Sequence, residues 1–233
     1  MYDNAPKSVD NLLREGYSTD IGGYVNRGWE IVQQKLGSFI GFLLVLILIN
    51  LAFSALLRIV DPAAFDPSSP TPPSGIAILL NIISSVITIP LNAGFFIVAL
   101  KIAKQRTTSF SDFFRGFNYF LQLFLVTLVG GLLIALGFVL LIIPGIYLAV
   151  AYTFAVPLVI ERKMDFWQAL ETSRKVITKQ WFSFLLLGIV IALINFLGLL
   201  PCGLGLLVTV PLSYCICTAA YESIFGLQLS SED

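Results

Sequence analysis

Histidine does not occur among the 233 residues of this chain. Histidine is the side chain that most often acts as a general base, and it is the most common neutral metal ligand. The sequence also has no phosphate-binding glycine loop, no dinucleotide fingerprint and no nucleophile elbow. We therefore expect a protein that is not an enzyme, with no catalytic residues, no cofactor and no metal ion.

Charged residues are scarce as well, at 12% of the chain, whereas a soluble domain carries about 25%. Hydrophobic residues make up 57%, so a soluble fold would expose large apolar patches. The formal net charge is zero, and no nucleic-acid partner is expected from it. This composition predicts an integral membrane protein whose immediate partners are membrane lipids.

Apolar runs divide the chain into membrane spans, because a spanning helix needs about 20 mostly apolar residues. We split two long runs at Pro144-Gly145 and at Pro201, where the chain is expected to reverse. The predicted fold is all-α, a bundle of six transmembrane helices within residues 20–226, between polar tails 1–19 and 227–233. The predicted spans are 37–57, 75–100, 119–142, 143–160, 181–200 and 204–225.

The distribution of Lys and Arg predicts the orientation. All 14 of them except Arg58 lie before the first span, between the second and third spans, or between the fourth and fifth spans. Basic loops stay in the cytoplasm, so both termini are expected there. We expect a location in the bacterial cytoplasmic (inner) membrane, with an internal bacterial membrane as the alternative. The proline-rich segment 61–74 is then an extended loop on the outer face.

Each basic segment also contains a predicted amphipathic helix that lies in the membrane interface, at 21–36, 109–118 and 165–180. In the second of these, the phenylalanines follow the i, i+3, i+4, i+7 spacing of an α-helix; they are Phe110, Phe113, Phe114 and Phe117. Ser109 and Asp112 have the spacing of a capping box at its start. In the third, Thr172 falls on the predicted polar face.

The three basic segments are each followed by a predicted helical hairpin, so the chain reads as three repeats of one unit. The motif Leu-Ile-Asn ends at Asn50 in the first hairpin and at Asn195 in the third. The second helix of every hairpin contains a proline, at Pro90, Pro157 or Pro211, and a proline inside a helix is expected to kink it.

Polar residues within the spans are the first group of candidate functional residues. They are Asn50, Asn81, Asn92, Asn195 and Glu222. A buried amide in hydrocarbon needs a hydrogen-bonding partner on a neighbouring helix. Two interpretations follow: these side chains line a polar cavity, or they only join helices to one another.

Basic residues of the interfacial helices are the second group. They are Arg27, Lys35, Arg115, Arg174, Lys175 and Lys179. Each basic residue near an anionic surface contributes about 1 kcal/mol of attraction. We expect these residues to contact anionic lipids on the cytoplasmic face.

Three short motifs, in residues 24–30, 143–146 and 169–174, carry a family resemblance; they read YVNRGWE, IPGI and ALETSR. With them the chain resembles a broad group of bacterial six-helix membrane proteins, which is similar to the membrane domain fused to some glycerophosphodiester phosphodiesterases. Those enzymes hold their activity in a separate soluble barrel with metal-binding carboxylates and histidines. The resemblance therefore implies a non-catalytic membrane domain and transfers no functional residues.

Two hypotheses about function remain. The first is a non-enzymatic membrane protein with a lipid-interacting, scaffolding or assembly role, which has a membrane-protein partner or forms a homo-oligomer. The alternative is a transporter or channel subunit, whose cavity would be lined by the intramembrane asparagines.

Overall fold

The structure is a computed structural model that describes residues 7–62 and 74–228. Within these residues all regular structure is helical, which confirms the predicted all-α fold. The helices are α1 (Val9–Glu15), α2 (Ile21–Gln34), α3 (Leu36–Val60), α4 (Gly75–Ala103), a 3-10 helix (Phe110–Tyr119), α5 (Phe120–Leu140), α6 (Ile142–Ala151), α7 (Ala155–Arg162), α8 (Phe166–Thr178), α9 (Trp181–Leu199) and α10 (Leu206–Phe225).

Six helical stretches are long and apolar enough to cross a membrane, as predicted. They are Leu36–Val60, Gly75–Ala103, Phe110–Leu140, Ile142–Arg162, Trp181–Leu199 and Leu206–Phe225. The chain is thus a multi-pass membrane protein. Most of the proline-rich segment predicted at 61–74, and the last residues of the predicted tail at 227–233, lie outside the described residues.

The six spans form three hairpins, and in each hairpin we call the first helix the leading helix and the second the return helix. Each leading helix packs on its own return helix and on the return helix of the preceding hairpin: α3 contacts α4 and α10, α5 contacts α6 and α4, and α9 contacts α10 and α6. The contact between α3 and α10 closes the ring. The described spans therefore form a closed ring of three hairpins, and the interpretation of these hairpins as repeats of one unit stays a prediction.

The return helices form the inner layer of the ring. Their spans are 39–56% buried, whereas the leading helices are only 11–22% buried. Most of the buried residues of α4 lie from Pro90 to Ala103, and those of α10 lie from Pro211 to Phe225. The core is therefore concentrated at the end where α4 and α10 finish. We call this the basic end, because the basic segments lie there.

The second interfacial helix differs from the prediction in its geometry, since Phe110–Tyr119 is a 3-10 helix. In a 3-10 helix residues i and i+3 eclipse one another, so Phe113 and Gly116 share the buried face. The α-helical spacing placed Phe114 and Phe117 on that face as well, but both are exposed. The predicted capping box between Ser109 and Asp112 is confirmed.

The fourth span is interrupted between α6 and α7, near Pro157. Ser173 of α8 bridges the interruption: its hydroxyl donates to the carbonyl oxygen of Ala151 at 2.7 Å and accepts from the backbone N–H of Phe154 at 3.1 Å. Ser173 and Thr172 are both buried. The assignment of Thr172 to the polar face of this helix was therefore wrong.

The predicted N-terminal tail at 1–19 contains one helix that the prediction did not include. Helix α1 packs on α8 and α10, and its Leu12 is buried in the core. Just before it, the backbone N–H of Lys7 donates to the carbonyl oxygen of Phe225 at 2.8 Å. The two ends of the described chain are thus joined at the basic end.

Candidate functional site

The basic end is built from three surface helices, which are α2, the 3-10 helix and α8. Each packs mainly on the return helix of the preceding hairpin: α2 on α10, the 3-10 helix on α4, and α8 on α6 and α7. Two of these contacts bring backbone against backbone, because a Cβ atom on Gly28 would meet the backbone of Ile216 and one on Gly116 would overlap the carbonyl oxygen of Pro90. The packing of these helices therefore requires small residues.

A first buried ion pair joins α2 to α10. The guanidinium of Arg27 donates to both carboxylate oxygens of Glu222, with Nε–Oε2 at 3.1 Å and Nη2–Oε1 at 3.2 Å. The hydrogen bond that Arg27 donates to Glu222 raises the pKa of Arg27 above its ordinary value. Glu222 is 2% exposed, so this predicted polar residue is an interhelical contact. Arg27 was predicted to contact lipid, but its guanidinium is engaged with Glu222.

A second ion pair joins α4 to the 3-10 helix. The carboxylate of Asp112 accepts from Lys101, with Nζ–Oδ1 at 2.8 Å, and from Arg115, with Nε–Oδ1 at 3.1 Å. Asp112 is almost fully buried, whereas the side chain of Arg115 is 44% exposed. One carboxylate thus holds two cations at the membrane interface, and Arg115 faces outward.

A third ion pair joins α4 to α7. Lys104 Nζ lies 2.8 Å from Glu161 Oε2, and both side chains are buried. The other carboxylate oxygen of Glu161 accepts from the backbone N–H of Gln228 at 2.8 Å. Neighbouring Arg162 donates through Nη2 to the carbonyl oxygens of Lys7 and Phe225, each at 2.8 Å. These contacts fix both ends of the described chain, at Lys7 and at Phe225 to Gln228, against the second hairpin.

These groups surround a cavity of about 90 Å³, which we call the basic cavity. Four basic residues and one acidic residue line it, together with uncharged polar and apolar residues. The lining residues are Ile97, Leu100, Lys101, Lys104, Arg106, Arg115, Asn118, Tyr119, Ile160 and Glu161. A wider, more open cavity of about 530 Å³ shares Lys101, Arg106 and Arg115 and adds the hydroxyls of Thr107, Thr108 and Ser109.

Cations outnumber acids among the described residues that line the basic cavity. Four cations and one acid, Glu161, line it, and Glu161 pairs with Lys104. Lysine and arginine supply several donors that suit the oxygens of a phosphate group. Apolar Ile97, Leu100 and Ile160 line the same space. The arrangement can bind an anionic group that is attached to an apolar body.

The other residues that were predicted to contact lipid fall into two groups, those with an ion-pair partner and those without one in the described chain. Arg174 and Lys175 of α8 pair with Glu171 at 2.8 and 3.3 Å. Lys35 and Lys179 are exposed at the basic end, and neither forms an ion pair within residues 7–62 and 74–228. Among the predicted residues, only Arg115 lines the basic cavity.

Three of the four basic residues of the basic cavity were not predicted to be functional; they are Lys101, Lys104 and Arg106. In the sequence they indicated only the orientation of the spans. One signal could have found them, because Lys101 and Lys104 are three positions apart at the end of a span and so share one helix face. Asp112 also follows them closely in the chain.

Asn195 and Asn81 both donate side-chain hydrogen bonds to nearby protein groups. Asn195 donates through Nδ2 to Ser213 Oγ at 2.8 Å and so joins α9 to α10. Asn81 donates to the carbonyl oxygen of Ala77 in its own helix, at 3.0 Å. Asn195 therefore forms an interhelical contact, whereas Asn81 is an exposed residue of α4.

The other two asparagines, Asn50 and Asn92, line one cavity of about 440 Å³ between α3 and α4. We call it the α3–α4 cavity. Asn50 donates through Nδ2 to the carbonyl oxygen of Leu46 at 2.9 Å. The hydroxyl residues Ser54 and Thr88 line the same space. A functional role for these four residues stays a prediction.

Comparison with known proteins gives no relative from which a function could be transferred. No family model matches the chain, and no curated protein or solved structure matches it. The resemblance based on three short motifs therefore stays a prediction, and the function has to be argued from the geometry of the basic end.

Proposed function

We propose that this protein is a non-enzymatic, multi-pass membrane protein that binds an anionic phospholipid of the cytoplasmic leaflet. The observation that carries the proposal is the basic cavity, in which four cations and one carboxylate lie beside an apolar wall. Basic pockets between transmembrane helices on the cytoplasmic side bind anionic headgroups in this way.

The proposed orientation follows from the same end of the molecule. All the Lys and Arg residues except Arg58 belong to the segments that precede or connect hairpins at the basic end. The positive-inside rule then places the basic end, with both termini, in the cytoplasm. The surface of a bacterial inner membrane would supply the anionic lipid.

A lipid accounts for the cavity better than a soluble anion does. The cavity lies at the end of α4, and Ile97, Leu100 and Ile160 form its apolar wall. The exposed rings of Phe114 and Phe117 lie on the adjoining 3-10 helix. A phospholipid would place its phosphate among the cations and its acyl chains on these apolar groups.

Bound lipid would hold together elements of two hairpins, and so it supports a scaffolding or assembly role. Lys101 belongs to α4 and Lys104 follows this helix directly, whereas Arg115 belongs to the 3-10 helix and Glu161 to α7. The alternative of transport through a cavity lined by the intramembrane asparagines has less support, since Asn195 is bonded to Ser213.

The test is native mass spectrometry of the full chain in detergent, with equal amounts of phosphatidylglycerol and phosphatidylcholine. Wild type should retain phosphatidylglycerol preferentially. The double variant Arg106→Gln/Arg115→Gln removes two cations while Lys101 still pairs with Asp112. At about 1 kcal/mol for each basic residue, the affinity for phosphatidylglycerol should fall more than 10-fold.

The matched control is Lys179→Gln, which removes one exposed cation of the basic end away from the cavity. It should retain phosphatidylglycerol like the wild type. Equal loss in the control, or no preference in the wild type, would overturn the proposal. A third arm adds free glycerol phosphate: complete displacement of the lipid by an equal concentration would show that the site serves a soluble anion.

A further inference from the structure

The α3–α4 cavity lies within the membrane-spanning part of the first hairpin. Asn92 is nine residues from Lys101 on α4, or about 14 Å along the helix axis, so the cavity lies deeper than the basic cavity. Its lining is entirely uncharged, with four apolar and four polar side chains: Leu43, Leu46, Ile47, Asn50, Leu51, Ser54, Thr88 and Asn92.

The polar positions around the α3–α4 cavity can be compared with the equivalent positions of the third hairpin. In the return helices of the first and third hairpins, a threonine lies two residues before the proline, at Thr88 and Thr209. The residue two positions after the proline is Asn92 in α4 and Ser213 in α10. The leading helices carry the matching Asn50 and Asn195, each at the end of a Leu-Ile-Asn motif. The two hairpins therefore hold the same polar positions.

The third hairpin joins these positions across its two helices, and the first does not. Asn195 donates to Ile191 of its own helix at 2.9 Å and also to Ser213 of α10 at 2.8 Å. Asn50 makes only the bond within its own helix, to Leu46, and Asn92 forms no hydrogen bond with any residue in the ranges 7–62 and 74–228. Both amides are exposed. The α3–α4 cavity occupies the space where the hydrogen bond between the two helices would lie.

Hydrocarbon chains cannot hydrogen-bond to an amide, and an unpaired amide at this depth is costly. The side-chain oxygen and one N–H of Asn50 take no part in the hydrogen bond to Leu46. In Asn92, the side-chain oxygen and both N–H groups are available for hydrogen bonds. The volume of about 440 Å³ lies in the usual range for small-molecule sites, which are mainly apolar with a few placed polar groups. The site is thus suited to a ligand that enters from the membrane and offers its own hydrogen-bonding group.

We infer that the α3–α4 cavity binds an uncharged lipid that has a hydroxyl or carbonyl group in its head. Asn50 and Asn92 bond to this polar group, with Ser54 and Thr88 beside it, and the apolar body of the lipid packs on the leucines of α3. The ligand is uncharged because none of the described residues that line the cavity carries a charge. This site is separate from the basic cavity and does not depend on the proposal made for it.

A second cavity extends the space available to this lipid. It measures about 260 Å³ and lies among α4, α5, α7 and α10. Asn92 lines both cavities, and Thr127 and Tyr214 add hydroxyls to the second. The amide of Asn92 is therefore the group to which a head placed in either cavity would bond.

The test uses a diacylglycerol with a photoreactive diazirine beside its head, added to the full chain in neutral phosphatidylcholine nanodiscs. Crosslinked peptides should come from α3 and α4 around Asn50 and Asn92. The variants Asn50→Leu and Asn92→Leu each remove one hydrogen-bonding group, and each should weaken binding of the probe about 3- to 10-fold. The matched control is Asn81→Leu, which changes an exposed amide of α4 outside the cavity and should bind like the wild type.

A further variant, Ser54→Phe, keeps both amides but fills the cavity, and it should abolish crosslinking at α3. Retention of phosphatidylglycerol should be unchanged in all these variants, which separates this site from the basic cavity. The inference is overturned if Asn50→Leu and Asn92→Leu bind the diacylglycerol probe like the wild type. It is also overturned if the crosslinks map to other helices, or if Ser54→Phe is labelled at α3 as strongly as the wild type.

Discussion

Arg27 and Glu222 face each other across the junction of α2 and α10, joined by two hydrogen bonds of 3.1 and 3.2 Å. One residue lies near the start of the chain and the other lies in the last span. Their contact helps to close the ring of three hairpins. In the first return helix, Lys101 lies as far beyond Pro90 as Glu222 lies beyond Pro211, and it also pairs with a surface helix. At the junction of α2 and α10 the return helix carries the acid, whereas at the junction of α4 and the 3-10 helix the return helix carries the base.

The buried pair predicts a large loss of stability when one partner is neutralised. Glu222→Gln leaves the partly buried Arg27 without its main counter-charge, which should cost about 3 kcal/mol. Glu171→Gln is the matched control, because its carboxylate is 33% exposed and pairs at the surface of α8; it should cost less than about 1 kcal/mol. Thermal unfolding in detergent, followed by tryptophan fluorescence, measures both.

The double variant Arg27→Met/Glu222→Met provides the complementary check. It removes both charges and fills the space with apolar side chains, so it should regain most of the lost stability. A double variant as unstable as Glu222→Gln would show that the charges themselves, rather than the cost of leaving one unpaired, hold this junction.

Close packing at Gly116 predicts a second loss of stability. The Cβ of Gly116→Ala would overlap the carbonyl oxygen of Pro90, which is backbone and has little freedom to move. Overpacking of this kind should lower the free energy of unfolding by about 2 to 3 kcal/mol. The control is Gly131→Ala in α5, where a Cβ meets nothing within 4 Å, and alanine is the better helix former. If both variants unfold at the wild-type temperature, the 3-10 helix does not pack on α4 as described.

The ion pairs of Glu171 with Arg174 and Lys175 on the surface of α8 predict a small effect of pH on the free energy of unfolding. Hydrogen bonds from Arg174, and then from Lys175, hold the pKa of Glu171 below its ordinary value of 4.5. Because the pKa is lower in the folded state, the cluster stabilises the protein above pH 4.5 and loses this contribution as the pH falls through the folded-state pKa. The contribution should not exceed about 1 kcal/mol, since solvent screens these side chains.

The measurement is the difference in thermal stability between the wild type and Glu171→Gln, compared at neutral pH and in acid. The difference should shrink as the pH drops, because the protonated carboxyl resembles the amide. A difference that stays constant into acid would mean that Glu171 acts through packing and not through its charge.

Much of the fold could be predicted from the sequence, because apolar runs have to match the thickness of a bilayer. The six spans and the chain reversals near Pro144 and Pro201 could be predicted from local composition alone. The amphipathic segments were found from their periodicity. The 3-10 geometry of Phe110–Tyr119 was missed because an assumed α-helical period cannot reveal a tighter turn.

The candidate site was less accessible to sequence reasoning because its groups come together only through tertiary contacts. Lys104 and Glu161 lie in different hairpins, and Arg27 and Glu222 lie near opposite ends of the chain. The predicted lipid residues were chosen by their charge on helical faces, which does not show whether a cation already has a carboxylate partner. Arg27 and Arg174 have such partners.

The asparagines illustrate the same limit. Asn50 and Asn195 end the same motif, yet Asn195 bonds to Ser213, whereas Asn50 lines a cavity. The Leu-Ile-Asn motif does not encode which side chain the neighbouring helix places beside the asparagine, so this difference could not be predicted from the motif.

A structure of the full chain solved in phosphatidylglycerol nanodiscs would show whether the basic cavity holds the phosphate of an anionic phospholipid. We expect a lipid phosphate within hydrogen-bonding distance of Lys101, Arg106 or Arg115, with acyl chains along Ile97 and Leu100. A cavity that holds only water, with the anionic lipid bound instead at Lys35 or Lys179, would rule out this lipid site.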